Sequence, residues 1–354
     1  MKGKNWVKNW ATATAFSIIT IGLFNFLMDP LWLYSHAFEF NSVQSGFNER
    51  QQKTNLVQYR DMDKYDGILL GSSRTAQINQ NHFPDFKIFN YASNGMFPFE
   101  YKSYIDYFKS NKNRQLKYII IGADFYNTNT PKNDYFIPPK FYIENARNPV
   151  YRYSSLFSID TLKYSIRNLK SYQLGNVNYY NRDNVKITSK FSTKEALKRY
   201  KDGIIQSTRK FIGKEYQYNN KYIPLLDTLK VENPNVKILV FTSPITADLL
   251  ASIIKNGGRL LEYKQWLSDL VKTHGSIYHF MDINSITTNL DNYSDDHHYY
   301  GKIGALIANR ISGVNNSSIP NDFGVILNKS NVDSYLEHFE KKLNAYRNPL
   351  ELIN

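Results

Sequence analysis

The 354-residue chain contains no cysteine. That excludes disulfides, thiolate metal sites and a cysteine nucleophile. It does not fix the compartment, because a domain of this size can fold without disulfides. Metal ligands are sparse. Of seven histidines, only His297 and His298 are adjacent, and no second pair lies at ligand spacing. There is no glycine-rich phosphate loop and no internal repeat. Acidic residues are in deficit: 31 Asp and Glu stand against 44 Lys and Arg, a formal charge of +13. A basic surface favours anionic partners such as phosphorylated lipids, acidic glycans or nucleic acid. The abundance of Lys, Asn, Ile, Tyr and Phe is equally what an AT-rich genome produces.

Charge is also missing from one long stretch. Asn9 to Met28 carries no charged residue and is mostly apolar from Phe16 onward. As a helix rising ~1.5 Å per residue it can cross a ~30 Å hydrocarbon core. Lys2, Lys4 and Lys8 precede it and Asp29-Pro30 follow it. The positive-inside rule then keeps residues 1–30 as a cytoplasmic N-terminus plus anchor, and exports the rest. Trp6 and Trp10 suit the inner interface, Trp32 and Tyr34 the outer one. The rival is a cleaved signal peptide, but Phe24-Asn25-Phe26-Leu27-Met28 lacks the small-x-small pattern that cleavage needs. A single-pass anchor in the cell (inner) membrane is expected, which disfavours nucleic acid as a partner.

Five short apolar runs follow: Gly67–Leu70, Phe86–Asn90, Tyr118–Ile121, Lys237–Phe241 and Ser276–Phe280. Each is too short for a helix and bounded by turn residues, so each reads as a strand. Helical spacing appears between them, at Phe99–Lys109 and Leu260–Lys272. This alternation predicts an α/β fold: a five-stranded parallel sheet with helices on both faces, a three-layer α/β/α arrangement. The long interval from about 127 to 235, rich in Tyr, Phe and basic clusters, reads as a cap inserted into a domain covering 31–312. Residues 313–354 read as a polar loop, Asn315–Asp322, and an amphipathic terminal helix, Val332–Tyr346.

In a parallel sheet, ligands bind beyond the carboxyl ends of the strands. Ser72 and Ser73 follow the first run, Asn94-Gly95 the second, Gly122-Ala123-Asp124 the third, and Asp295-Asp296-His297-His298 the fifth. One Gly-Ser turn after a strand is usually structural; four such groups at strand ends are much harder to attribute to chance. A serine on a sharp turn plus a distant Asp/His pair is the raw material of nucleophilic acyl transfer. Ser73 is the expected nucleophile, His298 its base and Asp295 the residue orienting the imidazole. His297 is the competing base, and Asp296 is expected to cap the following helix.

The order and spacing of these blocks, over roughly Asp29 to Ile311, resemble the SGNH (GDSL-type) hydrolase superfamily. The likeness is to its membrane-anchored branch, which contains the teichoic-acid D-alanyl transfer protein and the alginate O-acetylation proteins. Gly71-Ser72-Ser73 is similar to the Gly-Asp-Ser block, Gly95 to the oxyanion glycine, Gly122-Ala123-Asp124 to Gly-x-Asn, and Asp295-x-x-His298 to Asp-x-x-His. The resemblance implies a flavodoxin-like sheet and an extracytoplasmic acyltransferase or esterase acting on an envelope polysaccharide or glycolipid. It also implies a membrane-bound O-acyltransferase as donor partner. A non-catalytic scaffold or polysaccharide-binding partner is the alternative. The chain departs from the pattern at Asp124, where an asparagine amide would donate to the oxyanion; a carboxylate cannot donate. Either Arg74 pairs with Asp124 and neutralises it, leaving the backbone N–H groups of Ser73 and Gly95 as the oxyanion donors, or both are solvated loop charges.

Overall fold

A computed structural model describes residues 2–46, 48–131, 136–175, 178–314 and 319–347. Residues 315–318 of the expected polar loop lie outside them. The described chain is α/β, and it divides into two compact units. One comprises Met1–Met62 with Ile137–Asn184, the other Asp63–Phe136 with Val185–Asn354. The expected cap is therefore shared between them, and the described residues beyond 312 belong to the second unit.

The first unit is mostly helical. It begins with the helix Lys2–Met28. Within it, Asn5–Met28 is long and apolar enough to cross a membrane. The helix stops where Asp29 takes up a left-handed backbone conformation, φ +39°. The Asp29 carboxylate is buried and ion-pairs with Arg182, whose Nη1 also donates to the Asp29 carbonyl at 2.9 Å. Asp29 Oδ1 accepts the Leu33 N–H at 2.8 Å. A buried carboxylate needs such partners to offset its desolvation. Here they fix the turn that leads off the apolar helix. The helix Glu49–Tyr59 packs nearby through Asn55, which donates to the Leu31 carbonyl at 2.7 Å. The buried Lys53 lies 5.1 Å from the centre of the Tyr180 ring.

The second unit contains the main sheet. Taking all strands of the described residues in chain order, they are β1 Gly67–Leu70, β2 Ile88–Asn90, β3 Tyr118–Ala123, β4 Asn178–Tyr180, β5 Lys186–Thr188, β6 Lys237–Thr242, β7 Ser276–His279 and β8 Val325–Asn328. The sheet order is β2-β1-β3-β6-β7-β8. The first five strands run parallel, as the apolar runs predict. β8 corrects the five-stranded expectation. It adds a sixth strand, antiparallel to β7, with Ile277 opposite Leu327. Leu327 is fully buried there and Ile326 is half exposed, the alternation of an edge strand. A strand of four residues whose pairing partner lies about fifty positions upstream leaves no periodic signal long enough to read.

Both faces of the sheet are buried. Leu69, Ile120 and Phe241 pack with Ile303, Ile307 and Ile311 of the helix Gly301–Ile311. Ile68, Leu70, Ile119, Ile121 and Val240 alternate with them and are also inaccessible. The helix Pro98–Ser110 contacts β1, and the helix Leu260–His274 contacts β6 and β7. Pro98 in its first turn and Glu100, which accepts the Phe97 N–H at 2.8 Å, start the former.

The ends of β1 and β3 meet through a threonine. Gly71 has φ +152°, and a Cβ there would fall 2.2 Å from Thr75 Oγ1; a Cβ on Gly122 would fall 2.0 Å from the same atom. Two glycines thus let one side chain lock the two strand ends together. Gly122→Ala is expected to lower stability by about 1–3 kcal/mol through overpacking. Adding Thr75→Ala should recover part of the loss. Thermal unfolding of the single and double variants checks this, and an unchanged Tm for Gly122→Ala would show that the close approach is not needed.

Candidate active site

The order β2-β1-β3 reverses direction at β1, which makes the carboxyl ends of β1 and β3 the point where an open α/β sheet binds ligands. Ser73 lies just past β1, in a segment that turns into the short 3-10 helix Thr75–Gln77 rather than an α-helix. Asp295–His298 form no helical turn either. They make a bend closed by an antiparallel bridge between Tyr293 and Tyr299.

The two loops meet. Ser73 Oγ is 2.8 Å from His298 Nε2, and His298 Nδ1 is 2.7 Å from Asp295 Oδ2. Asp295 Oδ1 accepts the backbone N–H groups of His297 at 3.0 Å and His298 at 2.7 Å. Burial alone would raise the Asp295 carboxyl. The hydrogen bond from His298 and the charges of His298 and His297 outweigh it and hold the group well below the usual carboxylate range. Burial lowers the His298 imidazole, and His297 adds to this by like-charge repulsion, against the opposing pull of Asp295. Ser72, the neighbouring serine, accepts the Arg74 N–H at 3.4 Å.

His297 is turned elsewhere. Its Nδ1 lies 2.8 Å from Asp296 Oδ1. Asp296 is buried and accepts the Ser207 hydroxyl on Oδ2 at 2.6 Å, so its expected role in capping the next helix is not what it does. That helix begins after Tyr300 without a side-chain cap. Asp296 instead ties the helix Thr193–Arg209 to the Asp295–His298 loop. Nothing in the spacing of residues 207 and 296 announces this contact. Asp295, His297 and His298 bring ligand-type atoms within 4.8 Å of one another, the arrangement closest to a metal centre among the described residues. Both ring nitrogens of His298 are already engaged.

A cleft of about 210 Å³ opens on Ser73. Its lining includes the polar residues Ser72, Arg74, Asn94 and His297 with Gly95, and the apolar residues Ile245, Leu249, Ile253 and Met281. The part of the insertion within this unit reaches it through Ser207, Lys210 and Phe211. Gly95 has φ +60°, a conformation that favours glycine.

Asp124 is buried, and Arg74 Nε lies 3.2 Å from its Oδ1. Neither Asp124 oxygen accepts a hydrogen bond of good geometry. The Tyr222 and Tyr299 hydroxyls are pushed up by burial and further by the Asp124 charge. Of the two readings of this pair, the solvated one fails, since both side chains are shielded from water. Compared with protein-family models, curated proteins and solved structures, the chain matches none.

Removing one member of a buried pair leaves an uncompensated charge, at a cost of about 3–5 kcal/mol. Arg74→Met should therefore destabilise the protein more than Arg74→Met combined with Asp124→Asn. Denaturation of both single variants and the double variant measures the coupling. Additive losses would mean that Arg74 does not compensate Asp124.

Proposed function

We propose that the protein is a membrane-anchored serine acyltransferase or esterase of the SGNH type, acting outside the cytoplasm on an envelope polysaccharide or glycolipid. The flavodoxin-like order of the five parallel strands is consistent with that fold. The observation that carries the reading is the unbroken chain of hydrogen-bonding distances from Ser73 Oγ through His298 to Asp295. A scaffold that only bound a partner would have no need of it.

The chemistry runs in two halves. His298 Nε2 takes the Ser73 proton as Oγ attacks the carbonyl carbon of an acyl donor. The bond from that carbon to the donor's leaving group breaks, and the leaving group departs with the proton from His298. A sugar hydroxyl or water then gives its proton to His298, attacks the acyl carbon and releases Ser73, which recovers its proton. Asp295 holds the imidazole tautomer throughout and stabilises the imidazolium. The backbone N–H groups of Ser73 and Gly95 are the proposed oxyanion donors, because a carboxylate at position 124 lacks the amide N–H that would donate there. The apolar residues lining the cleft suit a short acyl group, and Lys210 and Asn94 suit a hydroxylated acceptor. A membrane-bound O-acyltransferase is the proposed source of the acyl group.

Ser73→Ala should abolish acyl transfer to envelope glycan and labelling by a fluorophosphonate, whereas Ser72→Ala should retain labelling. Transfer that survives Ser73→Ala would overturn the assignment. The base must be neutral to work, so kcat/KM should fall as pH drops through the His298 pKa. That pKa lies below the ordinary imidazole value of about 6.5 because burial and the charge of His297 depress it. His297→Gln removes the like charge and should move the acid limb to higher pH; a limb that stays in place would show that His297 does not tune the base. For topology, a reporter fused at the C-terminus should be active only in an extracytoplasmic assay.

A further inference from the structure

The end of the apolar helix carries a passenger. A Cβ on Gly22 would lie 2.7 Å from the Phe157 ring, so the ring sits directly against the helix backbone. Three residues on, the buried Asn25 donates from Nδ2 to the Leu156 carbonyl at 2.7 Å, and its Oδ1 accepts the Ser165 hydroxyl at 2.8 Å. A polar amide near the end of a membrane span has to be satisfied internally. Here the segment around 156–165 does it.

Position sets depth. Gly22 precedes the helix end at Met28 by about 9 Å at ~1.5 Å per residue. If the helix crosses a bilayer, whatever is packed on Gly22 lies below the level at which the helix emerges. The side chains that flank Phe157 are apolar and uncovered: Val150 is 68% exposed, Tyr153 59%, Phe157 55% and Ile159 68%. An apolar patch of this kind in water is costly and marks a contact surface. The segment does contain one charge, Arg152, whose guanidinium is turned onto the Tyr34 and Tyr59 rings at 4.8 and 4.5 Å. Beyond it the exposed pair Asp160 and Lys163, 3.0 Å apart, limits how deeply the segment can enter.

We infer that Pro149–Ile159 is a second membrane contact, laying Val150, Tyr153, Phe157 and Ile159 into the headgroup–acyl boundary of the leaflet where the anchor ends. An interfacial segment buries its apolar side to about 5–10 Å, and the depth set by Gly22 falls in that range. The tyrosine and the ion pair mark the level of the headgroups. The inference rests on the proposed anchoring by the helix. It adds that the first unit is held at a set depth by two elements, so that it cannot swing freely on one helix.

The cysteine-free chain makes the test direct. Single cysteines are placed at Val150, Ile159, Ile19 and Val231 in the full-length protein, labelled with an environment-sensitive fluorophore and reconstituted in phosphatidylethanolamine–phosphatidylglycerol vesicles. Val231 is 72% exposed and carries the aqueous reference; Ile19 lies within the span. The expected result is strong quenching of the 150, 159 and 19 probes by nitroxides on the lipid acyl chains, with iodide quenching severalfold weaker than at 231. Quenching at 19 alone, with 150 and 159 as open to iodide as 231, would overturn this inference and leave the anchor standing. A probe at 19 that is open to iodide would overturn both. Probes at 150 and 159 shielded from iodide but untouched by lipid nitroxides would mean that protein covers the patch, which also overturns it.

Discussion

The parallel register of β1 and β3 decides the site. Leu70 stands opposite Ile121, so the residues that continue each strand leave the sheet side by side. Thr75 then folds back between Gly71 and Gly122 and fixes the two exits at a separation that only glycines permit. From this follow the position of Ser73, the pairing of Arg74 with Asp124, and the cleft between them. A slip of one residue would reverse every side chain at both strand ends and dissolve all three together.

The Asp295–His298 loop is anchored independently. The bridge between Tyr293 and Tyr299 closes it, and Asp295 spends one oxygen on two backbone amides and the other on His298. The carboxylate therefore organises its own loop as well as the imidazole. Asp296, one residue on, does the same for the insertion by holding Ser207. Adjacent acids thus hold different partners, one the His298 imidazole and the other Ser207 in the wall of the cleft. The same logic of a buried acid with fixed partners recurs at Asp29 and Arg182 in the first unit, where it shapes the turn after the apolar helix.

What the sequence determined by itself is local. An uncharged run fixes an apolar helix, because length and composition suffice. Short apolar runs between turn residues fix the five parallel strands, because strands buried on both faces need no partner information to be recognised. The spacing of Asp295 and His298 and the Gly-Ser turn at Ser73 nominate three residues that the fold brings within hydrogen-bonding distance. Tertiary structure alone decided the rest. β8 exists because β7 offers an unpaired edge to a segment far along the chain. The insertion splits between two units because its halves pack on different partners. Arg74 meets Asp124 out of water because two strand exits converge. Each of these depends on a contact between distant positions, and the energy that selects it appears only when both sides are in place.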